Sequence, residues 1–247
     1  MKFRNCVLGV LALSALILGG CGNSGGAGLN GGLTVTAAAT GSVVNATATY
    51  TNSQATDLTG TPITFTALVG NQSFSLGTFN TNTSGSATVA FTPPAFNSSQ
   101  TITVIATTDK LTNFSSIVMT GRSLTVTPPA AVTLTTAQAG GTSVPFIIQP
   151  AAGFVTITDP FSNDLSGHAI SISASFVSNN SSDSLSPPTS TATNSVGTAI
   201  FPGANGTLIV PAASGGVETM TITWTVTDQT TGLSGTGITT VTLTKTS

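Results

Sequence analysis

One histidine, His168, stands four residues after Asp164 in a chain crowded with serine, which is the raw material of a Ser–His–Asp relay. In such a relay a hydroxyl attacks, an imidazole takes its proton, and a carboxylate holds the imidazole. Neither a nucleophile elbow nor any other positioned serine accompanies His168, and Gly167 before it marks a turn at the start of a strand. The pattern predicts a surface turn. Asp159, Asn163 and Asp164, with Asp57 in the first half, could offer oxygens to calcium, which takes about six to eight of them. Aspartates in turns more often bond their own backbone, so no metal ligand is assigned. Trp224 could be an exposed platform for a sugar, but Ile222 and Val226 share its face and predict a core position. The mature chain lacks the titratable groups that acid–base or nucleophilic work requires, so neither enzymatic activity nor a cofactor is expected.

Only 5% of the 247 residues are charged, far below the roughly 25% of ordinary soluble domains. After residue 20 no apolar run approaches the ~18 residues of a spanning helix. Threonine, with 48 copies, fills the gap. It is β-branched and suits a pleated surface with its hydroxyl toward water. Beyond residue 20 the basic residues are Lys110, Arg122 and Lys245, scattered singly against seven acids. Phosphate backbones need clustered Lys and Arg, which excludes a nucleic-acid partner.

Something must position these few groups, and the chain begins with what reads as an address. Lys2 and Arg4 precede an apolar core from Val7 to Leu18, the pattern of an export signal over residues 1–20. The core ends Leu18-Gly19-Gly20-Cys21, which resembles the lipobox of bacterial lipoproteins. That resemblance implies cleavage before Cys21 and acylation of its sulfur and new amine. One acyl chain holds a membrane only marginally, and stable attachment takes more than one. Cys6 would leave with the leader, so the mature fold is expected to have no disulfide. Residues 21–32 comprise the lipidated cysteine and a glycine-rich tether, spanning roughly 15–20 Å if flexible. Gly22, where an inner-membrane retention signal would show Asp, favours the outer membrane.

From Leu33 onward apolar residues alternate with Thr or Ser, as in "ITFTA", "ISISA" and "TMTITWTVT", between turn clusters such as "NTSG" and "GANG". That period is the half-buried strand, and no segment carries a helical one, so the chain is expected to be all-β. Two halves repeat: "DLTGTPITFTA" (57–67) returns as "DLSGHAISISA" (164–174), an offset of 107 residues. "SGSATVAF" (84–91) parallels "NGTLIVPA" (205–212), and the strand ending at Asp109 parallels the one ending at Asp228. Seven strands fall near 33–37, 43–51, 62–68, 74–80, 86–91, 101–107 and 115–120 in the first half, the number an immunoglobulin-like sandwich needs. The pattern predicts two tandem immunoglobulin-like sandwiches, 33–122 and 123–247. Pro128 and Pro129 cannot donate ladder bonds, so an edge or kink is expected there.

The stretches "TYTNSQATDLTGTPITF" (49–65), "TNTSGSATVAF" (81–91) and "TITDPFSNDLSGHAISI" (156–172) resemble the bacterial immunoglobulin-like domains of invasin and intimin. Asn52 departs from that pattern, which has Asp there. The resemblance implies an envelope lipoprotein, anchored through its N-terminal lipid, that acts as a non-catalytic structural or adhesive module. The alternative is an accessory lipoprotein on the periplasmic side of an envelope or secretion assembly. The second half departs most from the plan at 178–198, Ser- and Pro-rich, which reads as an exposed loop and the first candidate for a partner contact.

Overall fold

The computed structural model describes residues 31–55, 57–162 and 164–246. The leader, Cys21 with Leu18, Gly19 and Gly20, and the tether up to residue 30 lie outside the described residues. All regular structure among the described residues is β-strand. The chain divides into two compact units after Gly121.

The first unit contains β1 (Gly31–Thr40), β2 (Val43–Asn52), β3 (Pro62–Val69), β4 (Gln72–Asn80), β5 (Ser86–Phe91), β6 (Gln100–Thr107) and β7 (Thr112–Met119). They form two antiparallel sheets, ordered β1-β2-β5 and β4-β3-β6-β7. This is an immunoglobulin-like sandwich whose fourth strand joins the third rather than the fifth. Gly31 and Gly32, read as tether in the sequence, are the first residues of β1 and pair with Asn52 and Thr51. Alternation does what the sequence implies. In β3, Ile63, Phe65 and Ala67 are fully buried while Thr64 faces out, and each buried Ile or Phe contributes about 1.5–3 kcal/mol.

The second unit elaborates the same plan. Its strands are β8 (Ser123–Val126), β9 (Val132–Thr136), β10 (Ser143–Ile148), β11 (Ala151–Thr158), β12 (Ala169–Ser178), β13 (Ser184–Ser186), β14 (Ser190–Ala192), β15 (Thr198–Phe201), β16 (Ala204–Ile209), β17 (Val217–Asp228) and β18 (Ser234–Lys245). One sheet runs β14-β12-β17-β18-β9, with β9 parallel to β18. Two three-stranded sheets, β15-β11-β8 and β10-β16-β13, make up the rest. They come from one long antiparallel pair broken on both sides at one level. Ile148 pairs with Ala204 and Ala151 with Phe201, and the breaks contain Pro150 and Pro202, which have no N–H for the ladder. Pro128 and Pro129 likewise fall between β8 and β9, where the chain leaves one sheet and joins another.

The duplication holds at the level of single hydrogen bonds. Buried Thr81 accepts the Thr61 amide (3.0 Å) and donates to the Leu58 carbonyl. Thr193 accepts the His168 amide (3.0 Å) and donates to the Leu165 carbonyl (2.5 Å). Asn82 Oδ1 accepts the amides of Ser84 and Ser86, as Asn194 Oδ1 accepts those of Val196 and Thr198. Gly85 and Gly197 close the motif at φ 75° and 77°. A Cβ on Gly85 would stand 2.2 Å from the Tyr50 carbonyl, and one on Gly197 2.5 Å from that of Ile157. Only glycine fits such an approach.

These bonds correct three sequence expectations. The counterpart of 84–91 is not 205–212 but the stretch from Val196 through β15, because the Asn–Gly turn sets the equivalence. Thr108, not Asp109, answers to Asp228: Thr108 Oγ1 accepts the Lys110 amide where Asp228 Oδ1 accepts that of Thr230. Finally, 178–198 is not an exposed loop. β14 pairs with β12 and β13 pairs with β16, so the segment crosses between sheets, and Asp183 and Thr193 are buried. Strands of three residues, Ser-Leu-Ser and Ser-Thr-Ala, are too short to show a period.

Candidate functional site

His168 is placed by the turn at Gly167 (φ 73°), and its ring reaches across to the end of β17. Its partner is not Asp164 but Asp228, with Nδ1 and Oδ2 2.9 Å apart. Asp228 is fully buried and also accepts the Thr231 hydroxyl (2.5 Å) and the Thr230 amide (2.9 Å). Burial acts to raise its pKa, but the bonds from Thr231, His168 and Thr230 outweigh it and hold the carboxyl below its ordinary value. An ionised acid here accepts, so Nδ1 carries the hydrogen. The acid is committed to the Thr230–Thr231 turn and the imidazole to the acid. This ties the start of β12 to the end of β17, and among the described residues no serine hydroxyl bonds the imidazole. The arrangement is a brace.

The residues weighed for calcium also serve turns. Asp57 and Asp164 are equivalent and exposed, and they accept the amides of Thr59 (2.8 Å) and Ser166 (2.9 Å). Those bonds lower both carboxyls below the usual value. Asp159 accepts the Phe161 amide and pairs with Arg122, Nε to Oδ2 at 2.7 Å. Asn163 lies outside the described residues. Among the described residues, no group of three His, Cys, Asp or Glu could hold a metal ion. Trp224 is fully buried against Phe201 at 5.0 Å, and its indole N–H donates to Thr239 Oγ1 (2.9 Å).

Two features carry no signal in the sequence. Asp183, the last residue of the β12–β13 crossing, and Glu218, which lies on β17 and accepts from the crossing's first residue, are both buried. Asp183 Oδ1 accepts the Ile209 amide (2.8 Å) and Glu218 Oε1 that of Asn179 (2.9 Å), while Asp183 Oδ2 has no hydrogen-bond partner. Burial first, then the charge of Asp183, pushes the Glu218 carboxyl above its ordinary value. The other feature is a cleft of about 630 Å³ in the first unit, lined by Val69, Gly70, Asn71, Gln72, Pro94–Phe96 and Gln100. Gly70 (φ 56°) and Asn71 turn β3 into β4, and the connection from β5 to β6 supplies the facing wall. Spacing could not announce it, since its walls lie more than twenty residues apart.

No known protein family and no curated protein matches the chain. Solved structures share a remote likeness of fold. The α2-macroglobulin of Escherichia coli matches 85% of this chain at 9% identity with a TM-score of 0.32, and the chain spans 16% of its length. The CFA/I adhesin of enterotoxigenic E. coli matches 95% of this chain and 86% of its own at 12% identity, TM-score 0.26. Drosophila N-cadherin EC1-4 matches 81% of this chain and 44% of its own at 12% identity, TM-score 0.21.

Proposed function

We propose that this chain is a non-catalytic binding module of the bacterial cell envelope, held to the outer membrane through lipid on Cys21 and meeting a partner with its sandwich domains. One observation carries the reading. The groups that could do acid–base work hold turns and strands: His168 and Asp228 brace one strand end, Asp159 pairs with Arg122, Asp57 and Asp164 cap turns, and Asp183 and Glu218 each accept a backbone amide. An imidazole held by a carboxylate becomes a proton carrier only with a nucleophile at its other nitrogen, and none is hydrogen-bonded to His168 among the described residues, whereas loops on a rigid sandwich are the usual seat of recognition. The lipobox supplies the anchor and the glycine-rich tether the reach.

Two measurements test the proposal. Fatty-acid labelling is expected on the wild-type chain and not on Cys21→Ser, and label that persists in the variant refutes the anchor. Protease added to intact cells is expected to cut the sandwich domains. Full protection would instead place the protein on the periplasmic side, as an accessory to an envelope assembly.

A further inference from the structure

We infer that the cleft of the first unit is a binding site for a neutral, polyhydroxylated ligand, a short oligosaccharide. This inference rests on reading the chain as a binding module and names what one of its surfaces takes. The volume of about 630 Å³ lies within the ~300–1,000 Å³ usual for ligand sites. The lining decides the chemistry. None of its eight residues is ionisable, so a phosphate, an acidic sugar or a cation would find no counter-charge. Three of them, Asn71, Gln72 and Gln100, are primary amides, each with two donor hydrogens and an acceptor oxygen. That pairing matches neighbouring hydroxyls, each of which donates and accepts. Pro94, Ala95 and Phe96 form an apolar wall suited to the C–H face of a pyranose.

The site is also held in place. Gln100 begins β6, and a Cβ on Gly70 would lie 3.2 Å from its Oε1, so the hairpin tip and the amide are packed together. Gln100 Nε2 reaches Ser98 Oγ at 3.3 Å, which orients the amide and leaves capacity for a further bond. An extended peptide fits less well. Peptides add along an unpaired strand edge, whereas of the lining residues only Gln72, the first of β4, belongs to an edge strand, and the rest are a hairpin tip, the ends of β3 and β6 and an inter-strand connection.

The test uses the full chain purified in detergent, applied to an array of neutral and acidic oligosaccharides. Retention is expected on neutral glycans. Asn71→Ala and Gln100→Ala should each weaken it about tenfold, the value of one well-placed hydrogen bond. Ala95→Trp should abolish it by bulk alone, with the urea unfolding curve confirming a folded protein. Failure to retain any neutral glycan, or retention unchanged in all three variants, overturns the proposal. Peptides captured in place of glycans and lost in Ala95→Trp would also overturn it. A chain that ignores glycans yet still mediates cell attachment refutes the saccharide site alone and leaves the binding-module reading standing.

Discussion

Thr81→Val isolates the hydrogen bonds of the repeated motif, because valine keeps the shape of threonine and removes its hydroxyl. Thr81 is 3% exposed, so water cannot replace what is lost. Two bonds disappear, the one accepted from the Thr61 amide and the one given to the Leu58 carbonyl. The Leu58 carbonyl keeps a long bond from Thr61 Oγ1 at 3.4 Å, so the orphaned group is the Thr61 amide. An orphaned donor costs about 1–3 kcal/mol and the second lost bond about 0.5–1.5, which gives about 1.5–4.5 kcal/mol in all. With a urea slope near 2 kcal/mol/M, the midpoint of the first unit should fall by about 1–2 M. Thr81→Ser keeps the hydroxyl and loses one methyl, so it should cost about 1 kcal/mol. Thr193→Val should reproduce the loss in the second unit. A valine variant that loses less than ~0.5 kcal/mol, or a serine variant that costs as much as valine, would show that the Thr81 hydroxyl does not hold the turn.

Four further outcomes are expected. Gly197→Ala forces a Cβ to 2.5 Å from a carbonyl at φ 77°, and should cost at least about 2 kcal/mol in urea titration followed by Trp224 emission. His168→Ala leaves buried Asp228 one partner short and should destabilise the second unit by about 1–3 kcal/mol. Because Glu218 has a raised pKa in the fold, the folded protein holds its proton longer than the unfolded chain. Stability should therefore fall as pH rises from about 4.5, and Glu218→Gln should flatten that slope in melts taken between acid and neutral pH. Replacing residues 180–192 with a short Gly-Ser turn deletes β13, β14 and Asp183, so the variant should lose the cooperative transition seen by Trp224 emission.

Legibility in the sequence followed strand length. All seven strands of the first unit announced themselves, because each runs six residues or more, long enough for a two-residue period of apolar and mostly Thr or Ser side chains to show. β13 and β14 did not, since three residues carry one inward side chain and no rhythm. The fate of His168 was hidden for a different reason. Asp164 was near in sequence, but strand pairing brings up Asp228, 60 residues on. The amide-lined cleft was equally silent, because a hairpin tip and a distant connection meet only after both sheets have formed.

The two copies share their turn chemistry but not the volume of their cores. Where the first unit buries Ala48, Val89 and Val104, the second buries Val155, Phe201 and Trp224 at the matching positions. Adjacent domains of like topology are prone to exchange strands while folding, and the trapped product aggregates. Here each exchange would leave a void in one core and overfill the other, and cores tolerate neither. At these positions the larger filling of one copy and the smaller filling of the other act as a key and its lock, so neighbouring repeats recognise their own strands although their hydrogen-bond patterns are alike.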